Sequence, residues 1–287
     1  MRSLTGVVTV IAVTALTCML GWLVDDSDKL LFGLPLLVTL ALFAYAIQWL
    51  AFVPAYWRQT EHFYDLTGSL TYAAVVLLGL WAGEAHDRAL LLALLVLAWC
   101  ARLGSFLFRR VRRDGKDGRF DDIKPDWSRF LLAWTMQGLW VFMTLLAALI
   151  AMTDSAPAAI DAWAIVGAGI WLGGFAIEVA ADAQKSSFKA DPANQGRFID
   201  SGLWAWSRHP NYFGEILLWV GICIIASPSF VAWQWLGLLS PLFVAWLITR
   251  VSGVPLLEER SDEKWGGQAD YEQYKASTPV LFLRPPR

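Results

Sequence analysis

Glu178 and Asp182 close one apolar run, and Arg208-His209-Pro210-Asn211 with Glu215 opens the next. Carboxylates four residues apart share a helix face, and so do Asn211 and Glu215. Ionisable groups at membrane depth are costly, so by default they face a protein interior and suggest a site. Pro210 fits the first turn of a helix, where a missing N–H costs nothing. A helix start beside a guanidinium is a ready anion site. Arg208, Arg197, Lys185 and Lys189 make the connector between the two runs suited to phosphate groups. A plainer reading stands beside this one. Glu178 and Asp182 would be the wet end of a helix in the headgroups, and Arg208 a membrane anchor. The anchor explains Arg208, but neither Asn211 nor Glu215.

Two further signals lie upstream. Arg102, in "LAWCARLGSFLFRR", is either a site cation or a side chain snorkelling to the interface. Tyr64 and Asp65, in "FYDLTGSLTY", meet the membrane at a helix head, where Asp65 on residue type alone reads as a cap. Other patterns fail. Gly167, Gly169, Gly173 and Gly174 follow no strand, so they point to small-residue helix packing rather than a dinucleotide loop. His62, His86 and His209 are too dispersed for a metal site, and Cys18, Cys100 and Cys223 read as buried thiols.

The elements that must position these residues are transmembrane helices. The chain has 287 residues, 57% of them hydrophobic and only 17% charged, with mean hydropathy +0.48. A soluble domain carries about 25% charge. The net charge of −2 offers no basic field for nucleic acid. A span needs about 20 apolar residues, and candidates cover 4–24, 31–53, 66–83, 89–108, 130–152, 161–181, 212–227 and 230–249. The last two are short and separated only by "SPS", so seven or eight spans are expected. The N-terminal run is too long for a secretory h-region and reads as a first span. Eight basic residues in 109–129 place that loop in the cytoplasm. Lys185, Lys189, Arg197 and Arg208, and the basic tail from Arg250, fall on the same side, which puts both termini in the cytoplasm. The tail reads as one amphipathic helix, "LLEERSDEKWGGQADYEQYKAS", with a Pro-rich end.

The run "ADAQKSSFKADPANQGRFIDSGLWAWSRHPNYFGE", with "SGVPLLEERSDEKWGGQADYEQYKASTPV", resembles the C-terminal region of the steroid 5α-reductase superfamily. "FYDLTGSLTY", "RLGSFLFRR" and "KDGRFD" extend the likeness over nearly the whole chain, closest to a bacterial membrane branch. The superfamily also holds sterol C14-reductases and, more distantly, isoprenylcysteine carboxyl methyltransferases. The resemblance implies an all-α integral membrane protein, a bundle of seven to eight transmembrane helices with a cytoplasm-facing cofactor cavity. Residues 1–287 would form one membrane domain, with 1–152 on the lipid-substrate side and 161–287 holding the cofactor beneath the tail helix.

By position, the resemblance carries cofactor contacts onto Asp182, Arg197, Asn211 and Glu215, with Arg102 as a phosphate partner. Glu178 stands where the steroid reductases have Asn. Glu258 and Glu259, near Tyr271 and Tyr274, occupy the region that closes over the cofactor. Arg208 and His209 match the bacterial branch and the methyltransferases better than the steroid enzymes. Trp99 falls at the position of the reductases' proton-donating Tyr, which leaves Asp65 or Tyr64 as the candidate acid. The expected activity is NADPH-dependent reduction of a carbon–carbon double bond in a lipophilic substrate entering from the bilayer, and not a standard 3-keto steroid. Arg102, Arg197 and Lys185 would serve the phosphates; Asp182, Asn211 and Glu215 would serve ribose hydroxyls and the carboxamide. The alternative is an S-adenosylmethionine-dependent methyltransferase, with His209 and Tyr212 shaping its pocket. Neither a metal nor nucleic acid is expected, and a bacterial inner membrane is the implied location.

Overall fold

Long apolar runs without interior charge fold as helices because lipid leaves a backbone no other way to satisfy its N–H and C=O groups. The computed structural model describes residues 2–114 and 120–286, and side chains for 4–106 and 120–286. It is 76% helical with almost no strand, and the protein is an all-α integral membrane protein. Among the described residues eight helices are long and apolar enough to cross a membrane. Six of the eight basic residues of 109–129, those from Arg109 to Arg119, have side chains outside the described set, as do parts of "RLGSFLFRR" and "KDGRFD".

The chain divides into two compact units. The first comprises residues 1–164 and 225–240. It contains α1 (Arg2–Val24), α2 (Leu36–Trp57), α3 (Tyr64–Ala82), α4 (Asp87–Asp114) and α5 (Trp127–Met152). Helix α5 is its centre, packed by α1, α2, α3 and α4, and its stretch from Leu145 to Met152 is almost wholly buried. Asp126 starts α5 by accepting hydrogen bonds from the backbone N–H groups of Ser128 and Arg129. Helix α1 turns Leu4, Val8, Ile11, Leu16, Met19 and Trp22 outward, an apolar outer face suited to lipid. An aromatic cluster of Phe120, Phe130 and Trp134, with Phe52, Phe63 and Tyr64 around it, closes one end.

The same unit holds Arg88, fully buried in the first turn of α4. Its guanidinium donates to the carbonyls of Ala158, Ala159 and Ile225 and pairs with Asp161 at 3.1 Å. A buried cation so completely engaged is a structural tie.

The second unit comprises residues 165–224 and 241–287. It takes most of α6 (Ala162–Ala190) and α7 (Pro210–Ala226), then α9 (Val254–Trp265) and α10 (Ala269–Ser277). The eighth span is not one regular helix: a 3₁₀ stretch, Ala232–Leu238, leads into the short α8 (Leu239–Trp246) and a π-turn, Leu247–Val251. The tail expected as one helix is two, broken at Gly266–Gly267, where Gly267 adopts φ +82°.

Two glycine pairs set the α6–α7 crossing. A Cβ on Gly214 would stand 2.5 Å from the Gly174 carbonyl oxygen, and one on Gly221 2.6 Å from that of Gly167. The glycines lie seven apart on each helix, so the antiparallel backbones touch twice along one seam. Gly169 and Gly173 have nothing within 4 Å of an added Cβ and play no part in it.

Candidate functional site

The glycine seam presses Glu178 against α7: a Cβ on Gly214 would lie 2.7 Å from the Glu178 nitrogen. Glu178 is 2% exposed and Asp182, one turn further, 7%. Neither is a wet helix end. Asn211, in the first turn of α7, donates through Nδ2 to Asp182 Oδ1 at 3.2 Å. Glu215, on the same face of α7, is half-buried.

The residue ahead of α7 completes the cluster. His209 accepts the first helical bond, from Phe213 N, on its carbonyl, and Pro210 takes the first helical position as its chemistry requires. Glu258 of α9 bridges two side chains, His209 Nε2 to its Oε1 at 2.7 Å and Arg208 Nη2 to its Oε2 at 3.1 Å. Burial pushes the imidazole below its ordinary 6.5, and the bond to Glu258 opposes that shift without reversing it. His209 is therefore neutral near pH 7. Its Nε2 must carry the proton that faces the carboxylate, which makes Nδ1 an acceptor. Tyr212 stacks on this ring, 5.7 Å between centroids at 17°.

Three atoms of the cluster are buried with no hydrogen-bonding partner among the described residues: Arg208 Nε, His209 Nδ1 and Asn211 Oδ1. Buried polar groups are nearly always paired, so one donor and two acceptors gathered at one helix start call for a ligand of mixed polarity.

The connector that carries Arg208 is held from three sides. Trp204 donates its indole N–H to Ala181 O at 3.0 Å, and its own carbonyl accepts from Tyr274 OH at 2.7 Å. The C-terminal segment lies alongside: Arg208 N donates to Pro279 O, and Ser207 Oγ reaches Leu281 O at 2.9 Å. Phe198 packs on Trp265, Tyr271 and Tyr274.

Asp182 and Asn211 are thus brought together, as are Arg208, His209, Tyr212 and Glu258. Lys185 is half-buried with its ammonium 4.2 Å from the Trp204 ring centroid, a cation–π contact. Arg197 and Glu259 are exposed and stand outside the Glu258 bridge. Arg102 belongs to the other unit, half-buried, its guanidinium 5.4 Å from the Phe106 ring. Tyr64 and Asp65 also lie in that unit. Tyr64 OH donates to Ala133 O at 2.9 Å. Asp65 is not the helix cap: Phe63 takes that position without a side-chain bond, and Asp65 is the second residue of α3. Trp204 and the segment 279–281 were not singled out from the sequence; only the Trp between two clustered polar stretches hinted at the first.

Residues 51–278 match a family described as a protein of unknown function, DUF1295. The chain belongs to that family. It lies within the steroid 5α-reductase-like superfamily, whose members include membrane reductases and methyltransferases. An uncharacterised protein of Schizosaccharomyces pombe is 29% identical over 193 residues, which cover 56% of each chain. The match thus spans little more than half of that relative's length. No solved structure matches.

Proposed function

We propose that the protein is an NADPH-dependent membrane reductase that reduces a carbon–carbon double bond of a lipophilic substrate. The observation that carries this is the buried cluster at the start of α7, whose Arg208 Nε, His209 Nδ1 and Asn211 Oδ1 meet no partner among the described residues. These atoms fit a dinucleotide: the guanidinium N–H would serve a phosphate or hydroxyl oxygen, and the two acceptors would serve ribose hydroxyls or a carboxamide N–H. Glu178, Asp182 and Glu215 extend the same helix faces for ribose contacts, and Lys185 and Arg197 remain the candidates for the outer phosphates. Glu259 borders the α9 contact through which Glu258 would hold the nucleotide end.

Bound there, reduced nicotinamide would supply the hydride. The chain's own part is to fix Arg208 and His209 through Glu258, keep Asn211 oriented through Asp182, and exclude water with the Phe198 cluster and the C-terminal segment. The second carbon of the double bond takes a proton, for which Asp65 is the candidate donor; Tyr64, with its hydroxyl engaged on Ala133, is the weaker one. The basic connector and tail support a cytoplasmic site with both termini on that side; a bacterial inner membrane is what the resemblance implies.

A second reading, an S-adenosylmethionine-dependent methyltransferase acting on a lipid, is favoured by one feature. Arg208 is already neutralised by Glu258, while Glu178 and Asp182 are buried carboxylates, a balance that suits a sulfonium. Thermal unfolding of the detergent-purified protein with NADPH, NADH or S-adenosylmethionine separates the two, because a ligand that binds only the folded state stabilises it by mass action. Stabilisation by NADPH, stronger than by NADH, is expected. Stabilisation by S-adenosylmethionine alone would overturn the reductase proposal.

A further inference from the structure

Inside the first unit, polar side chains of the spanning helices mostly satisfy one another. Thr17 and Tyr45 share a hydrogen bond of 2.7 Å, Trp49 Nε1 donates to Thr135 Oγ1 at 3.0 Å, and Tyr64 OH donates to Ala133 O. Among the buried polar atoms of that unit that meet no partner, three belong to residues packed along one helix. Gln48 Oε1, Trp134 Nε1 and Gln137 Oε1 are buried with no hydrogen-bonding partner among the described residues. Gln48 and Trp134 are 0% exposed.

These atoms follow one face of α3. Tyr64, Gly68 and Thr71 stand at positions i, i+4 and i+7 of that helix, spanning about 10 Å. Trp134 packs edge-on against Tyr64, 5.0 Å between ring centroids. Gln137, one turn along α5, reaches over Gly68; a Cβ there would stand 2.7 Å from Gln137 Nε2. Gln48 of α2 meets Thr71, donating from Nε2 to Thr71 Oγ1 at 2.8 Å. The Thr71 proton is committed to Thr67 O at 2.7 Å, which fixes the Gln48 amide with its oxygen as the unpartnered atom. The seam therefore offers two amide acceptors and one indole donor, at a depth where lipid can serve none of them.

We infer that this seam of α2, α3 and α5 binds the hydroxyl group of a lipophilic alcohol. A hydroxyl donates and accepts at once, so it can serve a glutamine oxygen and the indole together. A ketone could accept from Trp134 but would leave both glutamine oxygens without a donor, whereas a hydroxyl leaves only one of them so. An unfunctionalised hydrocarbon serves none. The inference deepens the lipophilic-substrate reading and rests on that substrate entering these helices, but it is independent of which cofactor the protein uses.

The test needs no cofactor. Binding of three alcohols to the detergent-purified protein is measured by thermal stabilisation, each against its own methyl ether: hexadecanol, farnesol and cholesterol. At least one alcohol should bind the wild type about tenfold more tightly than its ether, the effect of about 1.4 kcal/mol of hydrogen bonding. In the Gln48→Met/Gln137→Met double variant that preference should vanish. Methionine keeps the volume and removes the polar atoms, so the variant should fold. If it does not, the wild-type pairs alone decide. Equal binding of alcohol and ether in all three pairs would assign the seam to water and overturn the inference, as would a preference that survives the double substitution. Because NADPH is absent throughout, a failure here cannot be mistaken for a failure of the cofactor proposal.

Discussion

Replacing Gly214 by alanine separates a glycine seam that positions the cofactor cluster from one that only packs helices. The new Cβ would lie 2.5 Å from Gly174 O and 2.7 Å from Glu178 N, both backbone atoms that cannot rotate aside. These distances fall about 0.7–0.9 Å short of ordinary van der Waals contact, so α6 and α7 must move apart by nearly that much. The Asp182–Asn211 bond, already 3.2 Å, would stretch beyond hydrogen-bonding range. Overpacking costs about 1–3 kcal/mol, and the lost bond about 1 kcal/mol. Gly169→Ala is the control on α6, since nothing lies within 4 Å of its Cβ. It should be neutral or stabilise by about 0.5–1 kcal/mol through helix propensity. Unfolding followed by tryptophan fluorescence and an NADPH titration would be run on both variants. Gly214→Ala should lose stability and at least tenfold in NADPH affinity, while Gly169→Ala loses neither. Equal stability of the two variants would refute the packing argument. Lost stability with unchanged affinity would refute the positioning role.

Three other outcomes follow from single contacts. His209 is held below its ordinary 6.5 by burial, so on acidification the unfolded chain takes up the proton first. Stability should be full above about pH 6.5 and fall as pH drops below it; His209→Gln should flatten that part of the curve, and an unchanged curve would show that His209 is not the titrating group. Arg88→Ala should cost about 3–5 kcal/mol, since it strips the buried Ile225 carbonyl and two part-buried ones of their donor; Asp161→Asn, at the half-exposed end of the pair, should do far less, and unfolding curves for both decide it. Asp65→Asn should leave NADPH binding intact and lower turnover, and a wild-type rate would remove Asp65 from the chemistry.

The apolar runs made the spans legible because lipid permits few other structures, and Gly167, Gly169, Gly173 and Gly174 announced close helix packing. Their pairing was not legible: which two of the four touch depends on the facing glycines 214 and 221, a tertiary fact. The irregularity of the eighth span was not legible, since apolar composition does not distinguish an α-helix from the 3₁₀ and π turns found there. The Gly266–Gly267 pair inside the tail did carry its break, overlooked beside strong helix formers. At the site, Asp182, Arg208 and Asn211 stood out because a polar group in or beside an apolar run is expensive, whereas Glu258 came only from the resemblance. Gln48 and Gln137 passed unnoticed because a single neutral amide in such a run looks tolerable until its partners are counted. Arg88 looked like one more loop cation, and only its carbonyl partners show its burial.

The central claim is that the cluster at the start of α7 holds a phosphorylated dinucleotide. Its most direct test is equilibrium binding of NADPH, followed by nicotinamide fluorescence, to the wild type and to Asn211→Leu, which removes both the Asp182 contact and the unpartnered Oδ1. Saturable binding to the wild type, weakened about tenfold or more in the variant and not displaced by S-adenosylmethionine, is the predicted result. No saturable signal, or equal affinity in the two proteins, would contradict it.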